Sequence, residues 1–202
     1  MKKVVLLGDS LTYGYGLESG VNWSDTLTHS LADTSVVNCG IPGDTTSGML
    51  SRFQQQVLVV KPDAVVIFGG LNDLHWNTDI SVVASNLNAM IAQAQFAGIK
   101  PVLVITSAID PVGSLAMFGH NQQAVETLRN SVKKLSEQHA PKIKLMYGHG
   151  PTALKIIDAY ALFEQYAAQN GYSPLYQPDG IHLSQLGASL IADKVISEFP
   201  II

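Results

Sequence analysis

The hydrophobic positions of this chain fall into two alternating patterns. Short, nearly continuous apolar runs occupy Lys3–Gly8, Ser35–Cys39, Ala64–Phe68 and Val102–Thr106. They are rich in valine and isoleucine, as strands covered on both faces in a parallel sheet are. Between them apolar residues recur at helical spacing. Met49, Phe53, Val57 and Val60 form one stripe; Val83, Leu87, Met90, Ile91 and Ala94 form a second. Val125, Leu128, Val132 and Leu135 form a third, and Ala188, Ile191, Val195 and Phe199 a last. Gly98 follows the second stripe as a C-cap, and Ser184 precedes the last as an N-cap. Pro101 opens the fourth run, where a missing N–H is tolerated.

Strands alternating with helices predict a doubly wound parallel sheet with helices on both faces. Right-handed crossovers then restrict the topology, and ligands belong at the carboxyl ends of the strands. A fifth strand is expected before a helix near 159–170. Both Ile143–Tyr147 and Ala153–Asp158 have the character for it. The second is preferred, because Lys155-Ile156-Ile157-Asp158 runs straight into Ala159-Tyr160. His139–Thr152 is then an insertion or an extra turn.

Composition narrows the class. The 202 residues are 47% hydrophobic and 14% charged, which suits one globular domain over 1–202. Net charge is −4 and the lysines and arginines are scattered, so no nucleic-acid partner is expected. The single cysteine, Cys39, allows no intrachain disulfide and reads as a small buried hydrophobe. Met1-Lys2-Lys3 begins like a signal peptide, but the apolar run behind it stops at Gly8, short of the roughly 7–15 residues required. No run approaches the roughly 18 apolar residues of a membrane span. A cytoplasmic protein is expected, although a leader removed upstream of residue 1 is compatible with the same sequence. Nothing in the pattern specifies an oligomeric state.

The strand exits carry the candidate chemistry. The first leads into Gly8-Asp9-Ser10-Leu11-Thr12, which places Ser10 at the start of a helical turn. There it is either a nucleophile beside N–H groups that stabilise negative charge, or simply a helix cap. The second leads into Pro42-Gly43-Asp44, where Gly43 offers an unscreened N–H in a turn. The third leads into Gly69-Gly70-Leu71-Asn72-Asp73. Asn72 has two side-chain N–H donors or serves an Asx turn, and Asp73 reads as a brace. Near the C-terminus, Asp179-Gly180-Ile181-His182 sets a carboxylate three residues before an imidazole. A serine nucleophile needs such a base, and the base needs an acceptor to fix its tautomer. His75, beside the third exit, is the rival base. The glycines fit neither G-x-G-x-x-G nor a phosphate loop, and no H-E-x-x-H or paired cysteines occur, so no cofactor or metal is expected.

Taken together, Gly8-Asp9-Ser10-Leu11, Gly43, Gly70-Leu71-Asn72-Asp73 and Asp179-Gly180-Ile181-His182 resemble the four motif blocks of the SGNH, or GDSL-type, hydrolases. The blocks occur in the family's order from residue 8 to 182, nearly the whole chain. The resemblance implies a flavodoxin-like three-layer α/β/α sandwich on a five-stranded parallel sheet. It also implies a serine ester hydrolase with small acyl or aryl esters, thioesters or lysophospholipids as substrates. Ser10, Asp179 and His182 would be the triad. Ser10 N–H, Gly43 N–H and the Asn72 side chain would be the oxyanion hole. The stretch 140–158 is longer than the family pattern leads one to expect, which puts the local topology there in question. An apolar substrate pocket is expected on the loop 107–120, from Ile109, Leu115, Met117 and Phe118. Transfer or removal of acetyl groups on sugars is the alternative chemistry, and a non-catalytic binding module on the same fold is the alternative class.

Overall fold

Side chains that must avoid water on both faces of a strand belong in the middle of a sheet. Val4, Val5, Leu6 and Leu7 are there, each fully buried. They lie in β1 (Lys2–Gly8) of a computed structural model that describes residues 1–119, 122–147 and 154–198. β2 (Thr34–Gly40), β3 (Ala64–Phe68), β4 (Lys100–Ile105) and β5 (Lys155–Asp158) complete a five-stranded sheet. Its order is β2-β1-β3-β4-β5, and every neighbouring pair is parallel. The chain winds outward from β1 in one direction and then the other, so the order reverses between β1 and β3.

Helices cover both faces. α1 (Ser10–Tyr13) and α2 (Trp23–Ser30) follow β1, and α3 (Thr46–Phe53) follows β2. α4 (Leu71–His75) and α5 (Ile80–Phe96) follow β3, while α6 (Leu115–Phe118) and α7 (Gln122–Tyr147) follow β4. α8 (Ala159–Asn170) and α9 (Gln185–Glu198) close the chain. α3, α5 and α7 pack in succession on one side, and α2, α9 and α8 on the other. No helix among the described residues is long and apolar enough to cross a membrane.

The expected strands and stripes are present, with differences that have physical reasons. β2 is half-exposed along much of its length because it is an edge strand with one neighbour. Asn38 anchors it instead, donating to Thr12 O at 2.8 Å and to Ser24 Oγ at 3.0 Å. The stripe through Met49, Phe53 and Val57 leaves α3 by a wider, π-type turn over Gln54–Leu58 that keeps Val57 buried. The fifth strand is Lys155–Asp158, the preferred choice. The rival segment Ile143–Tyr147 belongs to α7, so residues 139–147 extend a helix and form no separate insertion. Pro141 lacks the N–H of one helical bond, yet the 26-residue helix continues through it. Residues 148–152, and Phe199 of the last stripe, lie outside the described residues. Gly98 follows α5 with φ +74°, and Ser184 Oγ accepts from Gly187 N–H at 3.1 Å to cap α9.

The sequence pattern gives no stripe for α2, but a capping box starts it. Asn22 accepts from Trp23 N–H, and the Asp25 carboxylate accepts from Asn22 N–H. Trp23 is fully buried against the Phe68 ring and donates Nε1–H to Leu11 O at 2.9 Å, which holds α1 down on the sheet. Trp23→Ala should therefore cost about 3–5 kcal/mol of unfolding free energy in urea titration. A loss near that of an ordinary surface substitution would show that Trp23 is not a keystone of this layer.

Candidate active site

The sheet register decides where the site forms. Gly8, the last residue of β1, pairs with Gly40 of β2 and with Phe68 of β3, so three chains leave the carboxyl edge at one level. Side chains are excluded at this crossing. A Cβ on Gly8 would collide with Thr12 and the Phe68 carbonyl, and one on Gly40 with the Tyr13 backbone. α1 can thus start immediately above the sheet, with Asp9 capping it through a 2.9 Å bond from Leu11 N–H to Oδ1. Ser10 is the first helical residue and is 7% exposed.

The histidine arrives from the far end of the chain. His182 Nε2 lies 3.1 Å from Ser10 Oγ, and His182 Nδ1 lies 2.6 Å from Asp179 Oδ2. The carboxylate can only accept, so Nδ1 carries the proton and Nε2 is left to accept from the serine hydroxyl. Asp179 Oδ1 accepts the N–H groups of Ile181 and His182, both at 2.9 Å. Burial disfavours the charge on Asp179, but these bonds and the imidazole hold its carboxyl below the usual range. It stays ionised opposite His182.

The predicted oxyanion donors stand around the same edge. Gly43 occupies the third position of the turn closed by Asp44 N–H on Ile41 O, with φ +79°. That sign of φ favours glycine, and no acceptor among the described residues takes its N–H. Ser10 N–H is likewise without an acceptor among them. Asn72 donates one Nδ2–H to Asp44 O at 2.9 Å, which ties α4 to the Gly43 turn; its second amide hydrogen has no acceptor among the described residues.

Beneath these loops lies a polar layer that sequence reasoning missed, apart from Asp73. Arg52 donates to Gly8 O at 2.9 Å, Cys39 O at 2.7 Å and Asp44 Oδ2 at 2.8 Å, clamping two strand ends and the Gly43 turn. Asp73 is a brace, as expected: its carboxylate accepts from Thr46 N–H at 2.8 Å and Thr46 Oγ–H at 2.7 Å. The rival base His75 is engaged elsewhere, with Nδ1 at 2.9 Å from Met117 O and its ring against Phe118. Tyr15 was also missed; its ring centroid lies 4.6 Å from that of His182. No local pattern marks Arg52 or Tyr15, because their partners are distant in sequence.

The expected pocket residues are divided. Ile109 and Phe118 are buried in the core, whereas Leu115 and Met117 are 44% and 46% exposed. A cavity of about 630 Å³ opens beside the histidine turn, between Asp110 and Val112 of the loop 107–120 and Tyr172, Tyr176, Gln177 and Pro178. Among the described residues no cluster of three or more His, Cys, Asp or Glu is placed to hold a metal ion.

Comparison with known proteins places the chain in a family. Residues 6–190 match the GDSL-like Lipase/Acylhydrolase family. An arylesterase of Vibrio mimicus is 35% identical over 107 residues, 51% of this chain and 54% of that protein. Esterase TesA of Pseudomonas aeruginosa is 33% identical over 105 residues, 50% of this chain and 52% of that one. The chain thus spans about half the length of the curated relatives it matches. The crystal structure of a lipase/acylhydrolase from Enterococcus faecalis superposes with a TM-score of 0.80 at 30% identity, covering 98% of this chain and 95% of that one.

Asp9 makes the site pH-sensitive in stability. Its Oδ2 is buried with no partner among the described residues, and burial, with Asp44 and Asp73 nearby, pushes its carboxyl up to about 7. Between about pH 4 and 7 the folded protein keeps a proton that the unfolded chain has released. Asp9 therefore destabilises the fold increasingly as pH rises through that window, and by a constant amount above it. Asp9→Asn keeps the shape and abolishes the charge. Its melting temperature relative to wild type should rise from about pH 4.5 to about pH 8. A difference independent of pH would show that Asp9 is ionised throughout.

Proposed function

Since this chain belongs to the GDSL-like lipase/acylhydrolase family, we propose that it is a carboxylic ester hydrolase that works through an acyl-enzyme on Ser10. The observation that carries the proposal is the unbroken line from Asp179 Oδ2 through His182 to Ser10 Oγ, with separations of 2.6 and 3.1 Å. Residues 1–202 act as one hydrolase domain on this proposal.

His182 Nε2 takes the Ser10 proton as Oγ attacks the ester carbonyl. The carbonyl oxygen becomes an oxyanion and receives hydrogen bonds from Ser10 N–H, Gly43 N–H and the free amide hydrogen of Asn72. Ionised Asp179 stabilises the imidazolium that forms. The imidazolium returns its proton to the leaving alcohol or phenol, and the acyl group stays on Oγ. Water then attacks the acyl-enzyme with His182 again as base, and release of the acid regenerates Ser10.

Small acyl or aryl esters are the proposed substrates. The arylesterase relative points this way, and so does the Tyr15 ring, which is 50% exposed with its centroid 4.6 Å from that of His182. A flat ring beside the base suits a phenolic leaving group.

Ser10→Ala should reduce hydrolysis of a short chromogenic ester to the residue supplied by binding and the oxyanion site. The same substitution should abolish labelling by an organophosphonate. Wild-type activity in Ser10→Ala would remove Ser10 from the mechanism. Asn72→Ala should cost about 10²–10³ in turnover. A fall of less than about tenfold would take Asn72 out of the oxyanion site.

A further inference from the structure

The turn that carries Asp179 and His182 is complete without the nucleophile. Tyr176 and Leu183 bridge its base, Gln177 N–H donates to His182 O at 2.8 Å, and Gly180 N–H donates to Gln177 O at 2.9 Å. Asp179 Oδ1 takes two further N–H groups from inside the turn. Asp110 N–H holds the turn from outside, on Gly180 O at 2.9 Å, but from the loop after β4. These bonds set the imidazole against the carboxylate. None of them sets it against Ser10, which lies 172 positions away.

The side chain of Gln177 makes that connection. Its Nε2 donates to Leu183 O at 3.0 Å, inside the turn, and to Tyr15 O at 2.7 Å, in the segment that follows α1. One planar amide group thus spends both hydrogens on two different segments. Apart from the bond between His182 and Ser10, this is the hydrogen bond that joins those segments among the described residues. Gly16 admits it. A Cβ there would run into the Gln177 amide, and the backbone has φ +76°. The Tyr15 ring, carried by the same segment, then lies against the His182 ring.

We infer that Gln177 is a positioning residue: its amide ties the turn bearing the base to the segment bearing the nucleophile and so sets the His182–Ser10 separation, while Gly16 leaves the space for it. The inference rests on Ser10 and His182 being nucleophile and base. Proton transfer needs a separation of roughly 2.6–3.2 Å, and a misplacement of about 1 Å costs on the order of 10²-fold in rate. The backbone bonds of the turn do not use the Gln177 side chain, so removing it frees the turn without dismantling the Asp179–His182 pair.

The test uses Gln177→Ala, with Gly16→Ala as an independent disturbance of the same contact. Three quantities are measured: kcat and KM on a short chromogenic ester, the rate of Ser10 phosphonylation, and the low-field proton resonance of His182 Nδ1–H. In Gln177→Ala, kcat and the phosphonylation rate should each fall by about 10- to 100-fold with KM little changed. The low-field resonance should persist. Gly16→Ala should fall in the same way, and the double variant should be no worse than the single ones. Wild-type phosphonylation rates in Gln177→Ala would overturn the inference. Loss of the low-field resonance would also overturn it, because Gln177 would then be supporting the turn itself. If wild-type protein is phosphonylated at Ser10 and Gln177→Ala matches it, this inference alone fails. If wild-type protein is not phosphonylated, the nucleophile assignment fails and takes this inference with it.

Discussion

Every group at the site is borne by a segment leaving the carboxyl edge of the sheet or docked against it, so the register of β1 with its two neighbours is the constraint on which the rest depends. Gly8, Gly40 and Phe68 end level with one another. Ser10 follows two residues after the first, Gly43 three after the second, and Asn72 four after the third. A slip of one residue in either pairing would separate the proposed nucleophile from its proposed oxyanion donors and would turn Val4–Leu7 out of register with their packing partners. Burial of that strand therefore stabilises the geometry of the site as well as the fold. The two glycines at the strand ends are part of the same constraint, since side chains there would push α1 off the sheet.

Polar groups just under the loops refine this placement. The Arg52 guanidinium reaches two strand-end carbonyls and the Asp44 carboxylate, and Asp73 takes both donors of Thr46. Burial raises the carboxyls of Asp9 and Asp73 alike. Asp73 is compensated by hydrogen bonds, whereas one oxygen of Asp9 is not. A buried polar atom without a partner is costly, and such cost is commonly concentrated where a protein does chemistry. Asp9 stands next to Ser10 and caps the helical turn that Ser10 begins.

Much of this was legible in the sequence. Four of the five strands could be recognised as apolar runs; in β1, β3 and β4 this is because strands shielded by helices on both faces tolerate few polar residues. The fifth was ambiguous because two short apolar segments competed and only the extent of α7 separates them. The exposure of β2 was not legible, since position at a sheet edge is a property of topology and not of the strand itself. α2 announced itself only through its Asn22–Asp25 cap, a signal easily passed over without an apolar stripe. The pocket residues are divided for a similar reason. Ile109 and Phe118 have the composition of a ligand wall, but the same composition fills a core, and here they are buried in it.

Ser10 shows where the boundary lies. The sequence by itself determined that a serine stands at a strand exit, that a carboxylate stands three residues before a histidine, and that both occur within the motif order of one family. Those are local facts, and local spacing preserves them: the Asp179–His182 pair closes within a single turn by bonds between near neighbours. Only the tertiary structure decided that His182 and not His75 faces Ser10. That choice is made by contacts spanning more than 160 residues, Gln177 on Tyr15 and His182 on Ser10. No spacing rule encodes such contacts, because they exist only once the sheet has set its register and the last turn has docked against its edge.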